Sequence, residues 1–196
     1  MEFRDLVYQR RSVRKFQDKT IEKEILKDIL DAALWAPSSV NLQPWYFVAI
    51  TSPEERNCFK EIMHEVSERN RAHLEERFSA HPEIVKSTLT FLKTLGNAPV
   101  VILAFRDKAD YSWATMDESI VQSIAASMEN LILSAWDKGI ASCWMTAPLH
   151  AHMQQTIRDK YAPGHGDLVS MVVLGYAEEN CIPRAPKRKT EKYTII

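Results

Sequence analysis

Residues 119–138 constrain this chain more than any other stretch. Ile120, Ile124, Met128, Leu131, Ile132 and Ala135 recur at helical spacing along one side. Around them Ser123, Ala125, Ala126 and Ser127 are small enough to let another element approach closely. Gly139 is a natural stop, because a left-handed residue without a Cβ closes a helix at no steric cost. Apolar runs of strand length flank this central helix: Val100–Phe105 before it, then Ala141–Thr146 and Leu168–Tyr176 after it. Helices outnumber strands, and no βαβ series with a Gly-x-Gly-x-x-Gly turn appears, so a Rossmann sheet is disfavoured. An α+β fold is expected instead, as one domain over residues 1–196.

The remaining elements follow from local signals. Residues 2–9 form a short helix. Thr20 is the expected N-cap of the next one, with Glu22 and Glu24 in a first turn whose dipole favours acids. Ile25, Leu26, Ile29, Leu30, Ala33 and Leu34 give it an apolar face, and Pro37 ends it. Trp45–Ile50 reads as a strand. Ser52-Pro53-Glu54-Glu55 is a capping box with proline at the first helical position. The charged helix it opens runs to Arg77 and resumes after Pro82; so polar a segment is expected to pack loosely at the surface. His150–Tyr161 reads as a helix, and the tail from Ile182 as extended chain.

Composition narrows the function classes. The net charge of −1, from 25 basic and 26 acidic residues, supplies no global field for nucleic acid or membrane. The cations nevertheless gather at 10–15 and 184–192, which suits a small anionic ligand. No apolar run approaches the ~18 residues of a spanning helix. Met1–Asp5 has no secretory signature. Cys58, Cys143 and Cys181 fit no metal or redox spacing, so reduced thiols and a cytoplasmic protein are expected.

Two segments near the start carry the chemistry. Arg10-Arg11-Ser12-Val13-Arg14 offers guanidinium forks for a phosphate or a carbonyl edge. Alone, such a run is more often a solvated turn, or a grip for nucleic acid or a protein phosphosite. One helix later, Ala36-Pro37-Ser38-Ser39-Val40-Asn41-Leu42-Gln43-Pro44-Trp45 offers hydroxyls, side-chain amides and free backbone N–H groups, then aromatics. Charge for an anion, amides for a heterocycle edge and apolar surface for a ring plane are what flavin mononucleotide (FMN) requires.

The two motifs and their separation resemble the FMN-dependent nitroreductase family. Its pattern of Arg-x-Ser-x-(Arg or Lys), a helix, then Pro-Ser-(Ser or Ala)-x-Asn-x-Gln-Pro-Trp is matched by Arg10, Ser12, Arg14, Pro37, Ser38, Ser39, Asn41, Gln43, Pro44 and Trp45. The likeness continues more weakly through Asn97–Ile102, Glu129–Met145 and Val172–Lys189, and is least over 53–96. It implies a central mixed, largely antiparallel sheet of four or five strands, wrapped by helices in an intertwined homodimer. Arg10 and the tail residues Arg188 and Lys189, with Arg11 and Ser12 beside them, would hold the FMN phosphate. Arg14 and Asn41 would meet the pyrimidine carbonyls, and Pro37, Ser38, Ser39 and Gln43 would flank the ring from the partner subunit. A backbone N–H near Met145 or Thr146 would face the flavin N5. The implied activity is NAD(P)H oxidation with reduction of a nitroaromatic or quinone by a ping-pong scheme. No side chain is required as acid or base. Reductive dehalogenation or flavin fragmentation on the same fold is the alternative, with residues 60–95 placed to cap such a substrate.

Other candidates point to structure. His150-Ala151-His152 lacks a third metal ligand. Cys143, in an apolar strand without a base, reads as inert. Trp35, Trp45, Trp113, Trp136 and Trp144 read as core or interface, with no basic interleaving for single-stranded nucleic acid.

Overall fold

Four strands, β1 (Trp45–Ile50), β2 (Val100–Arg106), β3 (Ala141–Met145) and β4 (Leu168–Gly175), make one sheet in the order β1-β2-β4-β3. A computed structural model describes residues 1–108, 117–190 and 192–196 of the chain. Trp113, expected in core or interface, lies outside the described residues. Every strand pair is antiparallel; the parallel element of the expected mixed sheet reduces to an isolated bridge between Ser12 and Ser142.

Period-two alternation gives the sheet two apolar faces. On one face Val100, Ile102, Ala104, Val172 and Leu174 meet α2 (Lys23–Leu34) and α5 (Asp117–Asp137). On the other, Val101, Leu103, Phe105, Met171 and Val173 meet α3 (Pro53–Arg77), α4 (Pro82–Thr94), α6 (Ala147–His150) and α7 (Gln154–Tyr161). The short α1 (Phe3–Gln9) rests near the end of α5, where the terminal ammonium pairs with Asp137.

The apolar stripe of α5 is buried as expected. Gly139, at φ +73°, closes the helix: Ile140 N–H donates to the Ala135 carbonyl at 2.8 Å and Gly139 N–H to that of Trp136 at 3.0 Å. The small residues admit α2, and the buried Ser127 hydroxyl donates to the Ala33 carbonyl at 2.8 Å. Ser52 caps α3 by accepting from Glu55 N–H at 3.2 Å.

Three local expectations are corrected. Thr20 is not a cap: α2 begins at Lys23 after Glu22, because Gln17 N–H is still bound to the Tyr176 carbonyl and the chain leaves the sheet late. The 150–161 helix is two pieces. His152 adopts φ +55°, and Met153 N–H turns back to the Pro148 carbonyl, ending α6 before α7 starts. Nor does α3 pack loosely. Phe59, Met63, Val66, Ser67 and Asn70, three or four residues apart, form a narrow buried stripe on an otherwise charged helix. No helix among the described residues is long and apolar enough to cross a membrane.

Candidate functional site

Beyond α1 the chain runs along the outer edge of β3. Val13 N–H donates to the Ser142 carbonyl at 2.9 Å, Phe16 N–H to that of Gly96 at 3.0 Å, and Glu178 N–H to that of Lys15 at 3.2 Å. Val13 and Phe16 are buried, and Arg14 between them is left outside. Arg10 and Arg14 converge on the same strand. Burial pushes the Cys143 thiol above its ordinary pKa, while the charges of Arg14 and Arg10 pull it the other way. Among the described residues neither guanidinium has a carboxylate within 4.0 Å. Arg14 reaches only the Ser12 carbonyl, at 3.5 Å, and lies 5.8 Å over the Phe91 ring. Two guanidinium groups at one sheet edge with no such partner among the described residues leave donors suited to an anion.

Arg11 departs from the expected role. Its Nη1 donates to the Tyr8 and Arg10 carbonyls, both at 2.7 Å, so much of its fork closes α1 rather than facing a ligand. The Ser142 hydroxyl, where Ser12 crosses, is buried without a hydrogen-bond partner.

The second motif is a strained loop held in place. Val40, Asn41 and Gln43 have φ of 43°, 58° and 49°. Asparagine tolerates this region, whereas a β-branched valine there is an outlier, at a cost of about 1–2 kcal/mol. The loop survives because it is tied at several points. Gln43 N–H donates to Ser38 Oγ at 3.0 Å, Gln43 Nε2 to Asn41 Oδ1 at 3.1 Å, and Ser39 N–H to Ser123 Oγ of α5 at 3.2 Å. The amides of Asn41 and Gln43 are thereby presented as one preset pair, with Pro37 and Ser38 beside them.

Within one chain the two motifs do not meet. Ser12 and Arg14 lie on β3, at the Ala141 end of the sheet, while Pro37–Gln43 leads into Trp45 at the far end of β1. Three strand spacings across and about six residues along put the two corners roughly 25 Å apart. The tail is not brought to Arg10 either: Arg188 and Lys189 are exposed on chain without regular structure.

Thr146 follows β3 at that same edge. Because Ser142 directs its carbonyl outward to Val13, alternation turns the Trp144 N–H outward and the Met145 N–H toward β4. Thr146 and Trp144, rather than Met145, therefore offer outward amides. Residues missed in the sequence hold this corner from behind. Asn70 Nδ2 donates to the Ala147 carbonyl at 3.1 Å, and Arg69 Nη1 to that of Ala151 at 3.1 Å, locking α6 to α3. Asn70 left only a faint signal, as one polar residue in register with an apolar stripe.

Beside Arg14 and Lys15 a cleft of about 920 Å³ opens against α4, lined by Ile84, Thr88 and Phe91. A second apolar area lies on the surface around α5: Phe3, Val7 and Tyr8 of α1, Leu34, Val40, and Trp35, which is 87% exposed.

Comparison with known proteins bears on the family and the fold. The model of the nitroreductase family matches residues 7–176. A Methanothermobacter thermautotrophicus protein, provisionally named NADH dehydrogenase/NAD(P)H nitroreductase, is 28% identical over 181 residues, covering 92% of this chain and 80% of that one. Iodotyrosine deiodinase 1 of Rattus norvegicus is 26% identical over 196 residues, covering 96% and 67%. The crystal structure of a BluB-like flavoprotein from Clostridium difficile 630, 28% identical, matches with a TM-score of 0.73 over 100% of this chain and 99% of its own. Several solved chains of the same fold, at 19–23% identity, are described with bound FMN. Since the family match runs through all four strands and the central helix, the chain belongs to the nitroreductase family.

Proposed function

We propose that this protein is an FMN-dependent NAD(P)H oxidoreductase acting as a homodimer, with each cofactor held between Arg10–Arg14 of one copy and Pro37–Gln43 of the other. The observation that carries the reading is the separation of two prebuilt half-sites, roughly 25 Å apart at opposite corners of one sheet. Cations without a carboxylate at one corner and a strained amide pair at the other each lack the complement that the other supplies. The exposed apolar area of α1, Trp35 and Val40 is the kind of surface that a second copy covers.

In this arrangement Arg10 and Ser12 bind the phosphate, and Arg188 and Lys189 would join them only on a tail that moves from the exposed position it has in one chain. Arg14 meets the pyrimidine edge, opposite Asn41 of the partner subunit, and the Thr146 amide faces the central ring. Bound there, FMN would supply two-electron chemistry, taking hydride from NAD(P)H and passing electrons to a nitroaromatic or quinone in turn. The protein's own work is to bind, orient and shield. The cleft beside Arg14 gives a flat acceptor an apolar wall at Ile84 and Phe91. A dehalogenating activity is the second reading, favoured by the 26% identity to a deiodinase together with the α4 wall of this cleft.

Titration of apo-protein with FMN, followed by flavin fluorescence, tests the assignment. Arg10→Ala should weaken binding by about 1.5–3 kcal/mol, roughly 10- to 150-fold, the worth of a charge-assisted hydrogen bond. Lysine should restore only part of it, because a point charge replaces a fork. No FMN binding by the parent, or unchanged affinity in the alanine variant, would overturn the reading.

A further inference from the structure

We propose that Gly96 is a positioning residue for the cofactor site. It acts with Gly175, through the Phe16 ring held between them, to set where Arg14 stands. The inference rests on the reading that Arg14 binds the flavin. Gly96 lies in a turn where Leu95, Gly96 and Asn97 are all left-handed, at φ 53°, 61° and 61°. The turn is tied by Thr94, whose hydroxyl accepts from Gly96 N–H at 3.2 Å. Three such residues in succession are rare for L-amino acids, and they bring the glycine backbone against the irregular segment carrying Arg14, between the isolated bridges at Ser12 and Phe16.

The contact leaves no room for a side chain. A Cβ at Gly96 would lie 2.3 Å from the Arg14 carbonyl oxygen, 2.8 Å from its carbon and 3.3 Å from Phe16 Cδ2. On the other flank, a Cβ at Gly175 would lie 2.9 Å from Phe16 Cδ1 and 2.7 Å from Pro99 Cδ. Phe16, 1% exposed, is thus clasped on both edges, and its N–H is bound to the Gly96 carbonyl at 3.0 Å. With Val13 N–H fixed on Ser142, Arg14 is held from both sides along the chain. To bring a new Cβ from 2.3 Å to beyond 3.0 Å of the carbonyl, the Arg14 backbone and the Gly96 turn must separate by at least 0.7 Å, and the turn is tied at Thr94 and Phe16. Binding groups must stand within roughly 0.5 Å of their productive geometry, and a charge-assisted hydrogen bond lost to such a shift is worth roughly 10- to 150-fold in affinity.

The test separates clash from strain and from loss of fold. Gly96→Asn keeps the clash while asparagine accepts the left-handed backbone. Gly139→Asn is the matched control, at φ +73° with nothing within 4 Å of its Cβ. FMN affinity, measured on protein with parental circular dichroism, should fall about 10-fold or more in Gly96→Asn and stay unchanged in Gly139→Asn. Phe16→Leu, which loosens the clasp without adding an atom at Gly96, should lower it several-fold and serves if Gly96→Asn does not fold. Affinities equal to the parent in the folded Gly96 and Phe16 variants, with Arg14→Ala weakened, would overturn the positioning role and leave the flavin reading intact. Parental affinity in Arg14→Ala would instead remove Arg14 from the flavin site, and this proposal with it.

Discussion

An equal mixture of Arg10→Ala and Asn41→Gly subunits, allowed to exchange, should regain about one quarter of its FMN sites at parental affinity. Glycine is chosen at 41 because it accepts the φ of 58°, so the lesion is loss of the amide and not backbone strain. The magnitude follows from geometry. Arg14 and Asn41 are both assigned to the pyrimidine edge, and residues roughly 25 Å apart in one chain cannot meet there together, so a shared site takes Arg14, with Arg10 beside it, from one copy and Asn41 from the other. Random pairing makes about half of all dimers heterodimers. In each of these, one site carries both lesions and the other carries none, which leaves about a quarter of all sites intact. The unmixed Arg10→Ala and Asn41→Gly homodimers have no intact site: the arginine lesion costs about 1.5–3 kcal/mol and the amide lesion about 0.5–1.5 kcal/mol. A fluorescence titration of the exchanged mixture should therefore be biphasic, with a tight phase absent from either single variant alone, while native mass spectrometry reports the heterodimer fraction. Heterodimers in the expected proportion without a tight phase would refute the shared site, since a site built within one chain restores nothing on mixing.

Two further outcomes probe the scaffold. Ser127→Ala removes the donor to the buried Ala33 carbonyl at the α2–α5 contact and should cost about 1–2 kcal/mol, lowering the thermal midpoint by roughly 2–8 °C; an unchanged midpoint would mean that this bond does not hold α2. Burial raises the Cys143 thiol pKa in the folded state, so its contribution to stability is complete below the unfolded thiol's pKa of about 8.5 and is lost as pH rises toward the folded value. Thermal midpoints followed upward from pH 8 should fall less steeply in Cys143→Ala than in the parent; parallel curves would show that folding does not shift the thiol's pKa.

What residues 45–77 become is decided within a few residues of each. Trp45–Ile50 is β-rich and bounded, and Ser52 finds Glu55 N–H one turn on, so strand, cap and helix start were legible in the string. The buried face of α5 was legible for the same reason, since 3.6-residue periodicity is a local property that twenty residues repeat. The residue types of both half-sites were legible too, because anion and amide chemistry is carried by side-chain identity. Tertiary structure decided what depends on long-range contacts. Thr20 lost the cap of α2 to a hydrogen bond between Gln17 and Tyr176, and the charged α3 became a core helix through a stripe that composition hides. Arg11 turned its fork onto α1, a choice that its type does not show. The distance between Arg10–Arg14 and Pro37–Gln43 depends on the strand order β1-β2-β4-β3, a long-range pairing that no spacing along the chain shows. Local chemistry told which atoms could meet a flavin; only the folded sheet decided that one chain keeps them apart.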